Sequence, residues 1–432
     1  MKVLILSHNP ITTFDAMGKT FLTLFSQFKK EELCQFYIYP TIPDVEACNS
    51  YFRITDKDVL NSYFKFKVKG KEISKEEIQN ASSTLFEEKK DEGLYRNKKN
   101  KSPFRILLRD LMWKMSSWNN KSLNNWIKRE NPTHLFVAPG AAKFIYDIAL
   151  KISKKYNLPI ITYLCDEYYF REKEKSFLGK IKQKKLQKKI EKLMQKTTLV
   201  VGICDKIKQV YCDKFNLNGI TVMTGSNFEI KQKPLERRVV NELTYMGNVR
   251  CNRYLSLSKI GQAIDSINAK NCTDYVLNIW TAEKDQEILA ELGKAQCIKL
   301  CGFVSGEEFN KTFKSAECLV HVEAFDNGSI DLVKHSVSTK IADSLGSGIP
   351  FFCYAPKEVA SCEYLISNDC AICATEESEL EEKLLQLFTD ETKREQVVNN
   401  ALNTARQNHE KTLVSQKLYQ GILGVGNENS SS

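Results

Sequence analysis

The stretch HSVSTKIADSLGSGIPFF, residues 335–352, contains the side chains whose chemistry is easiest to name. Ser338 or Thr339 is placed to cap a helix, which the glycines and the proline at 346–350 would end before an apolar strand. Lys340 then falls in the first turn, where the helix dipole is already positive and acidic residues are favoured. Two hydroxyls, free backbone N–H groups and a cation together suit a diphosphate. The spacing therefore predicts phosphate binding by these three residues.

Asp343 lies one turn further along the same predicted helix and has two interpretations that do not exclude each other. It is an acidic residue near a helix N-terminus, where the dipole favours a negative charge. Its carboxylate is also suited to accept hydrogen bonds from the two hydroxyls of a ribose. Asp343 is therefore predicted to bind a nucleotide, with a plain helix acid as the alternative.

Two other strand-to-helix turns combine glycine with basic residues. In SHNPITTFDAMGKTFLTLF, at 7–25, Gly18 lies at the predicted start of a helix, where a phosphate can approach. A plain tight turn is the alternative there, since the GxxxxGK pattern is absent. In TYMGNVRCNRYLSL, at 244–257, a strand ends at Gly247 and Arg253 follows. A guanidinium in such a turn suits a diphosphate because its planar fork forms two charge-assisted hydrogen bonds.

Four further polar residues are candidates for the chemical step or for sugar binding. Asp166 follows the apolar run IITYLC, and an acid at the carboxyl end of a strand can reach a cleft; a helix cap is the alternative. Glu323, Asp326 and His335 flank the loop before the predicted Lys340 helix. A single His in a polar loop is more often solvated than catalytic.

Short apolar runs alternate with helical patterns in two series, and buried parallel strands have this composition. Each parallel pair needs a crossover helix, so the alternation predicts two doubly wound α/β domains joined near residue 230. Open sheets of this kind bind ligands at the carboxyl ends of their strands. The first series is 2–7, 34–40, 134–140, 159–166 and 198–204, and the second is 242–247, 275–280, 298–304, 318–324, 349–355 and 370–374.

The predicted domain organisation follows from these series. An N-terminal Rossmann-like domain would span 1–228, with a helical insertion near 45–125 where the sequence is charged and less regular. A C-terminal Rossmann-like domain would span 239–405 after a polar linker. Residues 406–426 would form a helix that can return to the N-terminal domain, and the polar end 427–432 would be disordered.

The bulk composition bounds the class of protein. The 432 residues are 42% hydrophobic and 27% charged, which is a globular composition and excludes a fibrous or wholly disordered chain. No window of the sequence reaches the roughly 18 apolar residues of a membrane span. The 14 cysteines are interpreted as scattered, reduced thiols, since no His lies at metal-ligand spacing. A cytoplasmic protein without a metal site is therefore expected.

The net charge of +10 fits an anionic partner, which can be nucleic acid, a phosphorylated substrate or an anionic membrane. Lysines are concentrated at 171–196, where Leu186, Ile190, Leu193 and Met194 have helical spacing. One interpretation is an amphipathic helix packed on its own domain with a solvated basic face. The other is adsorption on an anionic membrane.

Taken together, these motifs resemble the group 1 family of retaining glycosyltransferases, which have the GT-B fold, two Rossmann-like domains facing across a cleft. The resemblance covers the second half best, from TYMGNVRCNR through CGFVSGEEF to STKIADSLGSGIPFF. In that family a basic residue six positions after the glycine binds the donor diphosphate, and Gly247 and Arg253 match. The stretch GFVSGEEF matches the segment that contacts the base, which implies nucleotide binding at Phe303.

The family's pair of Glu residues, spaced by seven, is not intact in this sequence. Asp343 occupies the second position and implies ribose binding. His335 falls at the first position by spacing, and Asp326 can fill that role by pattern. Gly18 matches the glycine of the family's first loop, and Asp166 lies near where many members place a cleft His.

The resemblance implies transfer of a sugar, as by a hexosyltransferase, from a nucleotide-diphosphate sugar to a hydroxyl of a saccharide or glycolipid, with retention at the anomeric carbon. Asp166, Asp326 and His335 would be catalytic, and Glu323 would bind the sugar. Basic side chains would replace a metal, no cofactor beyond the donor is implied, and nucleic acid is not an expected partner. The alternatives are a sugar-nucleotide epimerase of the same fold and a non-catalytic nucleotide-binding protein.

The implied biological setting is surface polysaccharide or glycoconjugate synthesis. The expected location is the cytoplasm, with peripheral contact at the inner face of an anionic cell membrane as the second option.

Overall fold

A computed structural model describes residues 1–65, 68, 70–83, 103–171, 176–235 and 239–428. The chain folds into two compact units, Met1–Met223 with Val414–Ser432, and Thr224–Leu413. In each unit apolar strands form a mainly parallel sheet, and helices connect the strands because parallel neighbours need crossovers. The α/β fold class with two Rossmann-like units, predicted from the sequence, is confirmed.

The sheet of the first unit has the strand order β4-β3-β2-β1-β5-β6-β7-β8. Neighbouring strands pair in parallel except β3 and β4, which are antiparallel. The sequence of β1 is Val-Leu-Ile-Leu-Ser, and the strand is buried along its whole length, as a central strand should be. The strands are β1 Val3–Ser7, β2 Leu33–Tyr37, β3 Ser50–Arg53, β4 Lys71–Ile73, β5 His134–Ala138, β6 Ile160–Leu164, β7 Thr197–Gly202 and β8 Gly219–Thr221.

Helices lie between these strands. Those described are α1 Ala16–Leu24, α2 Asp56–Lys65, α3 Lys75–Ser83, α4 Pro103–Met115, α5 Lys121–Glu130, α6 Lys143–Tyr156, α7 Phe177–Met194 and α8 Asp205–Phe215. In α7 the apolar stripe of the basic segment is buried within its own unit: Leu186, Ile190, Leu193 and Met194.

Two sequence predictions for this unit need correction. The segment predicted as a helical insertion also contains β3 and β4, which join the sheet; its residues 66–67, 69 and 84–102 lie outside the described residues. These strands are short, and β4 is Lys-Glu-Ile, so no apolar run marks it. Helix α1 begins at Ala16 rather than near Gly18, because Asp15 is its N-cap.

The second unit contains the six strands that the second series of apolar runs predicts. Their order is β11-β10-β9-β12-β13-β14, and all neighbours pair in parallel. The strands are β9 Glu242–Met246, β10 Val276–Trp280, β11 Ile298–Gly302, β12 Cys318–Val322, β13 Phe351–Tyr354 and β14 Ile372–Ala374. The helices described are α9 Arg253–Asn271, α10 Gln286–Leu292, α11 Gly306–Ser315, α12 Asn327–Val333, α13 Thr339–Gly346, α14 Ala360–Ser367, α15 Leu380–Thr389 and α16 Glu391–Asn408.

The C-terminal region contains two helices where the sequence predicts one at 406–426. Helix α16 ends at Asn408, and α17 then spans Lys411–Glu428, so it also extends into the predicted disordered tail. From Val414 onward the chain is part of the first unit. There the Ser415 hydroxyl donates to the carbonyl of Leu24 at 2.8 Å. None of the described helices is both long and apolar enough to cross a membrane.

Candidate anion-binding site

Most of the predicted phosphate and sugar contacts lie in the second unit, at the carboxyl ends of β9 and β12. These two strands are neighbours in the sheet, and Gly247 and Glu323 follow them directly. Helix α9 begins at Arg253, and α13 begins at Thr339. The sequence therefore brings two helix N-termini and two basic side chains to one edge of a parallel sheet, where such folds bind ligands.

Arg253 and Glu323 form a two-pronged ion pair. The Arg253 Nε donates to Glu323 Oε2 at 2.8 Å, and its Nη2 donates to Glu323 Oε1 at 3.1 Å. Burial alone would lower the pKa of Arg253, but the Glu323 charge and these hydrogen bonds outweigh it and raise the pKa. The pair uses two of the five N–H groups of a guanidinium, so the carboxylate holds the arginine while donors remain for an anion.

Lys340 reaches the end of β9 from the first turn of α13. Its Nζ donates to the carbonyl of Met246 at 3.0 Å and lies 5.6 Å from the centre of the Tyr245 ring. Part of the side chain is open to solvent. The surrounding protein atoms nevertheless lower the pKa of Lys340 to about 8, mainly by desolvation and then by repulsion from Arg253, while Glu323 opposes the shift. A bound anion would relieve both effects.

Two features of the structure favour glycine at position 247. Its φ is +155°, a backbone conformation that residues with a side chain rarely adopt. A Cβ at this position would also lie 1.8 Å from Lys340 Nζ. The glycine that the sequence singles out thus makes room for the lysine, which is a packing role beside any contact with a ligand.

The start of α13 matches the predicted position but not the predicted capping. Ser338 is the N-cap residue and Thr339 the first helical residue, yet the Ser338 side chain makes no capping hydrogen bond. The backbone N–H of Ser338 instead donates to the Ser361 hydroxyl at 3.0 Å. An uncapped N-terminus leaves backbone donors available, which is compatible with the predicted phosphate contact.

Asp343 already accepts hydrogen bonds from its own chain. Its Oδ1 accepts from the backbone N–H of Asn227 at 2.6 Å and from the Ser226 hydroxyl at 3.2 Å, and its Oδ2 accepts from the Asn227 amide at 3.0 Å. Desolvation raises the pKa of Asp343, although these hydrogen bonds oppose the shift. The ribose contact remains a prediction, and the carboxylate has a structural task that sequence spacing does not reveal.

His321, which the sequence interpretation did not single out, lies beside the ion pair. Its Nε2 is 3.5 Å from Glu323 Oε1, and both side chains are buried. Desolvation lowers the pKa of His321, and the charges of Arg253 and Lys340 add to this, while Glu323 opposes it. The available signal was two polar residues, i and i+2, in and just after an otherwise apolar strand, because such residues share one face.

The loop between β12 and α13 contains the other predicted acid and the histidine. Asp326 caps α12: its Oδ1 accepts from the Ser329 N–H at 3.0 Å, and its Oδ2 accepts from the Asn252 amide at 2.9 Å. Despite some desolvation, these bonds lower the pKa of Asp326. His335 is half-buried between α12 and α13. Their catalytic roles remain predictions, and for Asp326 the structure also shows a capping role.

Phe303 is 68% exposed and follows the end of β11. A large aromatic ring in water at the carboxyl edge of the same sheet is available for stacking. The preceding residue, Gly302, has a φ of +82°, which permits the turn that presents the ring. Base binding by Phe303 remains a prediction.

Gly18 and Asp166 belong to the first unit and are described there separately. The Gly18 N–H donates to Asp15 Oδ1 at 2.8 Å, and a Cβ on Gly18 would lie 2.2 Å from the Thr12 hydroxyl oxygen. Close packing against Thr12 therefore explains this glycine without a phosphate.

Asp166 is exposed after β6, accepts from the Tyr168 hydroxyl at 3.2 Å and does not cap a described helix. The capping alternative for Asp166 was wrong.

The arrangement in the second unit can bind an anion and stabilise negative charge. Arg253 and Lys340 lie close enough to influence each other's charge, and Glu323 keeps the arginine in place. In the described part of the chain, no group of three or more His, Cys, Asp or Glu side chains is arranged to hold a metal ion.

Comparisons with known proteins identify the class of fold. No protein-family description and no curated protein matches the sequence. The chain is similar to Anabaena HepE (Alr3699) solved with UDP, at 10% identity and a TM-score of 0.59, over 98% of this chain and 100% of that one. It is also similar to α,α-trehalose 6-phosphate synthase from Burkholderia multivorans, at 8% identity and a TM-score of 0.59, over 99% of this chain and 98% of that one. A third similar structure is sucrose-phosphate synthase from Thermosynechococcus elongatus, at 9% identity and a TM-score of 0.58, over 100% of both chains.

These likenesses extend over the full length of the chain and define its class of fold. The protein has the GT-B fold, with two Rossmann-like α/β units, as the sequence motifs predicted. Identities of 8–10% carry the fold alone. Membership of the retaining group 1 family stays a prediction.

Proposed function

We propose that this protein is a glycosyltransferase that takes a sugar from a nucleoside-diphosphate sugar and transfers it to a hydroxyl of a saccharide acceptor. The observation that carries the proposal is the meeting of Arg253 and Lys340 beside Gly247 at the carboxyl end of β9. A UDP-sugar is the first donor to test, because structures of similar fold contain UDP and UDP-glucose.

In this proposal the two cations bind the diphosphate and stabilise it as it leaves. Negative charge grows on the diphosphate when the bond to the sugar breaks, so cations fixed in advance favour the transition state more than the ground state. Glu323 holds the Arg253 guanidinium, and the base would stack on Phe303. Retention at the anomeric carbon, a hexose as the sugar and a role in polysaccharide or glycoconjugate synthesis are the finer parts of the proposal, and they rest on the sequence resemblance.

Thermal unfolding with and without UDP tests the binding step. We expect UDP to raise the melting temperature without added divalent metal, since ligand binding to the native state stabilises it. Lys340→Ala should weaken UDP binding at least tenfold, because a hydrogen bond to a charged group contributes about 1.5–3 kcal/mol. Lys334→Ala removes an exposed lysine six residues earlier and should leave UDP binding unchanged.

The pH dependence of UDP binding gives a second readout of the same site. Lys340 has a pKa of about 8 in the free protein, so its positive charge is lost as the pH rises through 8. UDP affinity should therefore fall about tenfold more between pH 7 and pH 9 in the wild type than in Lys340→Ala. An absolute requirement for Mn²⁺ or Mg²⁺, or equal pH profiles of the two proteins, would contradict the proposal.

A further inference from the structure

A cluster of three thiols lies in the second unit, on the side of β13 and β14 that α14 covers. Cys353 of β13 and Cys373 of β14 are directly opposite each other in the parallel register. Side chains at paired positions emerge on the same face of a sheet, and Cys362 of α14 completes the group. The Cys362 Sγ donates to the carbonyl of Ala355, directly after β13, at 3.4 Å, so its thiol lies on the same side of these two strands. All three are free thiols.

The sequence contains a signal for this cluster. Cys370 and Cys373 form a Cys-x-x-Cys pair, so the interpretation of the cysteines as scattered was wrong here. In the folded protein, however, the Cys370 thiol lies near the carbonyl of Leu365, at 3.5 Å, and Cys373 contacts Cys353 and Cys362 instead. The pairing suggested by spacing is therefore replaced by contacts between β13, β14 and α14.

Cys362 is the most acidic thiol of the group. Hydrogen bonds from Cys353 and Cys373 lower the pKa of Cys362, and they outweigh the desolvation that raises it. Cys362 is also the third residue of α14, where the helix N-terminus favours a thiolate. The Cys353 and Cys373 thiols therefore favour the thiolate form of Cys362.

Cys373 gives this buried group access to solvent. A surface depression of about 310 Å³ runs beside β14, and its lining includes Cys373, Asp369, Thr375 and Lys393. Cys373 is half-buried, whereas Cys353 and Cys362 are fully buried. The depression therefore gives a small oxidant a route to the group on the side of Cys373.

We propose that Cys362 and Cys373 are a redox-sensitive pair, which a peroxide oxidises to a disulfide. Hydrogen peroxide is the simplest oxidant of this class. The Cys362 thiolate attacks one peroxide oxygen, breaks the O–O bond and becomes a sulfenic acid with release of hydroxide. This hydroxide takes the proton of the Cys373 thiol and becomes water. The Cys373 thiolate then attacks the Cys362 sulfur and displaces a second hydroxide.

The balance of this reaction is closed. One thiol, one thiolate and one peroxide give one disulfide, one water and one hydroxide. The two sulfurs lose two electrons, and these electrons reduce the two peroxide oxygens. No further reductant or oxidant is needed.

The disulfide would disturb the candidate anion-binding site through Ser361, the neighbour of Cys362. The Ser361 hydroxyl accepts from the Ser338 N–H at 3.0 Å and lies 3.4 Å from the Ser336 carbonyl. The Ala360 N–H donates to the Lys334 carbonyl at 3.0 Å. The first turn of α14 thus holds the segment that leads into Lys340, and drawing two sulfurs to about 2.05 Å must shift this turn or β14.

The experiment treats the full chain with hydrogen peroxide, blocks the remaining thiols and maps disulfides by mass spectrometry of the unreduced digest. We expect a linked pair of peptides containing Cys362 and Cys373, which dithiothreitol reverses. Cys373→Ser should abolish this link. The matched control Cys272→Ser changes an exposed cysteine elsewhere in the second unit and should leave it intact. The melting temperature of the untreated variants shows whether each is folded.

UDP affinity before and after oxidation measures the coupling, and this part rests on the proposed function. We expect oxidation to weaken UDP binding by about fivefold or more, in the range of ordinary coupling between sites, and Cys373→Ser to remove this effect. If the reduced protein does not bind UDP, the proposed function fails while the disulfide map still decides the redox pair. A disulfide that joins Cys370 to Cys373, or no link at Cys362 in the wild type, would overturn the redox proposal.

Discussion

Asp343 shows how one side chain can satisfy a sequence motif and still have another task. Spacing alone predicts a ribose ligand, yet both carboxylate oxygens accept hydrogen bonds from Ser226 and Asn227. These residues lie near the start of the second unit, 116 and 117 positions away in the chain. The carboxylate therefore ties α13, which carries Lys340, to this segment.

We predict that Asp343→Asn lowers the stability of the protein. An asparagine presents one acceptor oxygen and an NH₂ group where three donors converge, so at least one donor loses its partner. The expected cost is about 1–3 kcal/mol of the free energy of unfolding, measured by denaturant unfolding. Asn227→Ala should have a similar effect, and the double variant should cost less than the sum, since both changes break one contact. A fully stable Asp343→Asn protein with at least tenfold weaker UDP binding would instead favour the ribose interpretation.

Residue types and their local spacing indicated most of the candidate site, but not how its side chains pair. The sequence pointed to Gly247, Arg253 and Lys340, because a glycine or a cation at a strand-to-helix turn is a local signal. The bond between Arg253 and Glu323 joins residues 70 positions apart, and no local rule predicts it. His321 was missed for the same reason, since its meaning depends on the neighbouring carboxylate.

At the scale of elements, hydrophobic patterning decided which strands the sequence could predict. All six strands of the second unit lie in apolar runs; β12 and β13 are buried along their whole length, whereas β11, at the edge of the sheet, is largely exposed. The strands β3, β4 and β8 were not predicted; they have three or four residues each and lie toward the ends of the first sheet. Short strands at an edge can be partly polar, so hydrophobic patterning marks them poorly.

Helix α7 shows that hydrophobic patterning also locates an interaction surface poorly. Its predicted apolar stripe is buried in the first unit, so the stripe cannot enter a membrane. Exposed apolar side chains lie instead at the start of the helix, where Phe177 is 77% exposed and Leu178 is 49% exposed. Helix α4 packs against α7 and adds exposed apolar residues, and exposed lysines follow on α7. These are Leu108, Leu111 and Met115 on α4, and Lys180, Lys184 and Lys185 on α7.

If this surface meets an anionic membrane, as the basic segment predicts, binding should depend on both charge and apolar contact. The protein should float with vesicles of anionic lipid at low salt and dissociate as salt screens the attraction. The double variant Phe177→Ser, Leu178→Ser should bind less, because two exposed apolar side chains are removed. Val239→Ser, which changes an exposed apolar residue of the second unit, is the matched control. Equal binding to neutral vesicles, or no binding to either kind, would contradict this prediction and favour the alternative, in which α7 packs on the first unit with a solvated basic face.

At the scale of the whole molecule, a buried histidine links the beginning and the end of the second unit. His409 lies between α16 and α17, and its Nδ1 donates to the carbonyl of Thr224 at 2.7 Å. Its Nε2 lies 3.0 Å from the Tyr364 hydroxyl, and the backbone N–H of Ser226 donates to the His409 carbonyl at 2.8 Å. Both ring nitrogens therefore have partners in the neutral form. A second proton would place a charge in a buried setting.

The last prediction is a loss of stability in mild acid that depends on His409. Burial lowers the pKa of His409 from 6.5 to about 4, although the Thr224 carbonyl opposes the shift. Between these values the unfolded chain binds a proton that the folded protein does not, so stability is full above pH 6.5 and falls as the pH drops toward 4.

Between pH 7.5 and pH 5 the His409 contribution should be about 2 kcal/mol of the free energy of unfolding, measured by denaturant unfolding at each pH. His409→Asn should be less stable at pH 7.5 but lose less on acidification, because its amide does not titrate. Asn408→Ala provides the matched control: it removes a hydrogen bond to the same Tyr364 hydroxyl, and its cost should be equal at both pH values. If His409→Asn and the wild type lose the same stability between pH 7.5 and pH 5, the acid sensitivity belongs to other groups. His134 and His321 are then the next residues to change, because both are buried and desolvation lowers their pKa values.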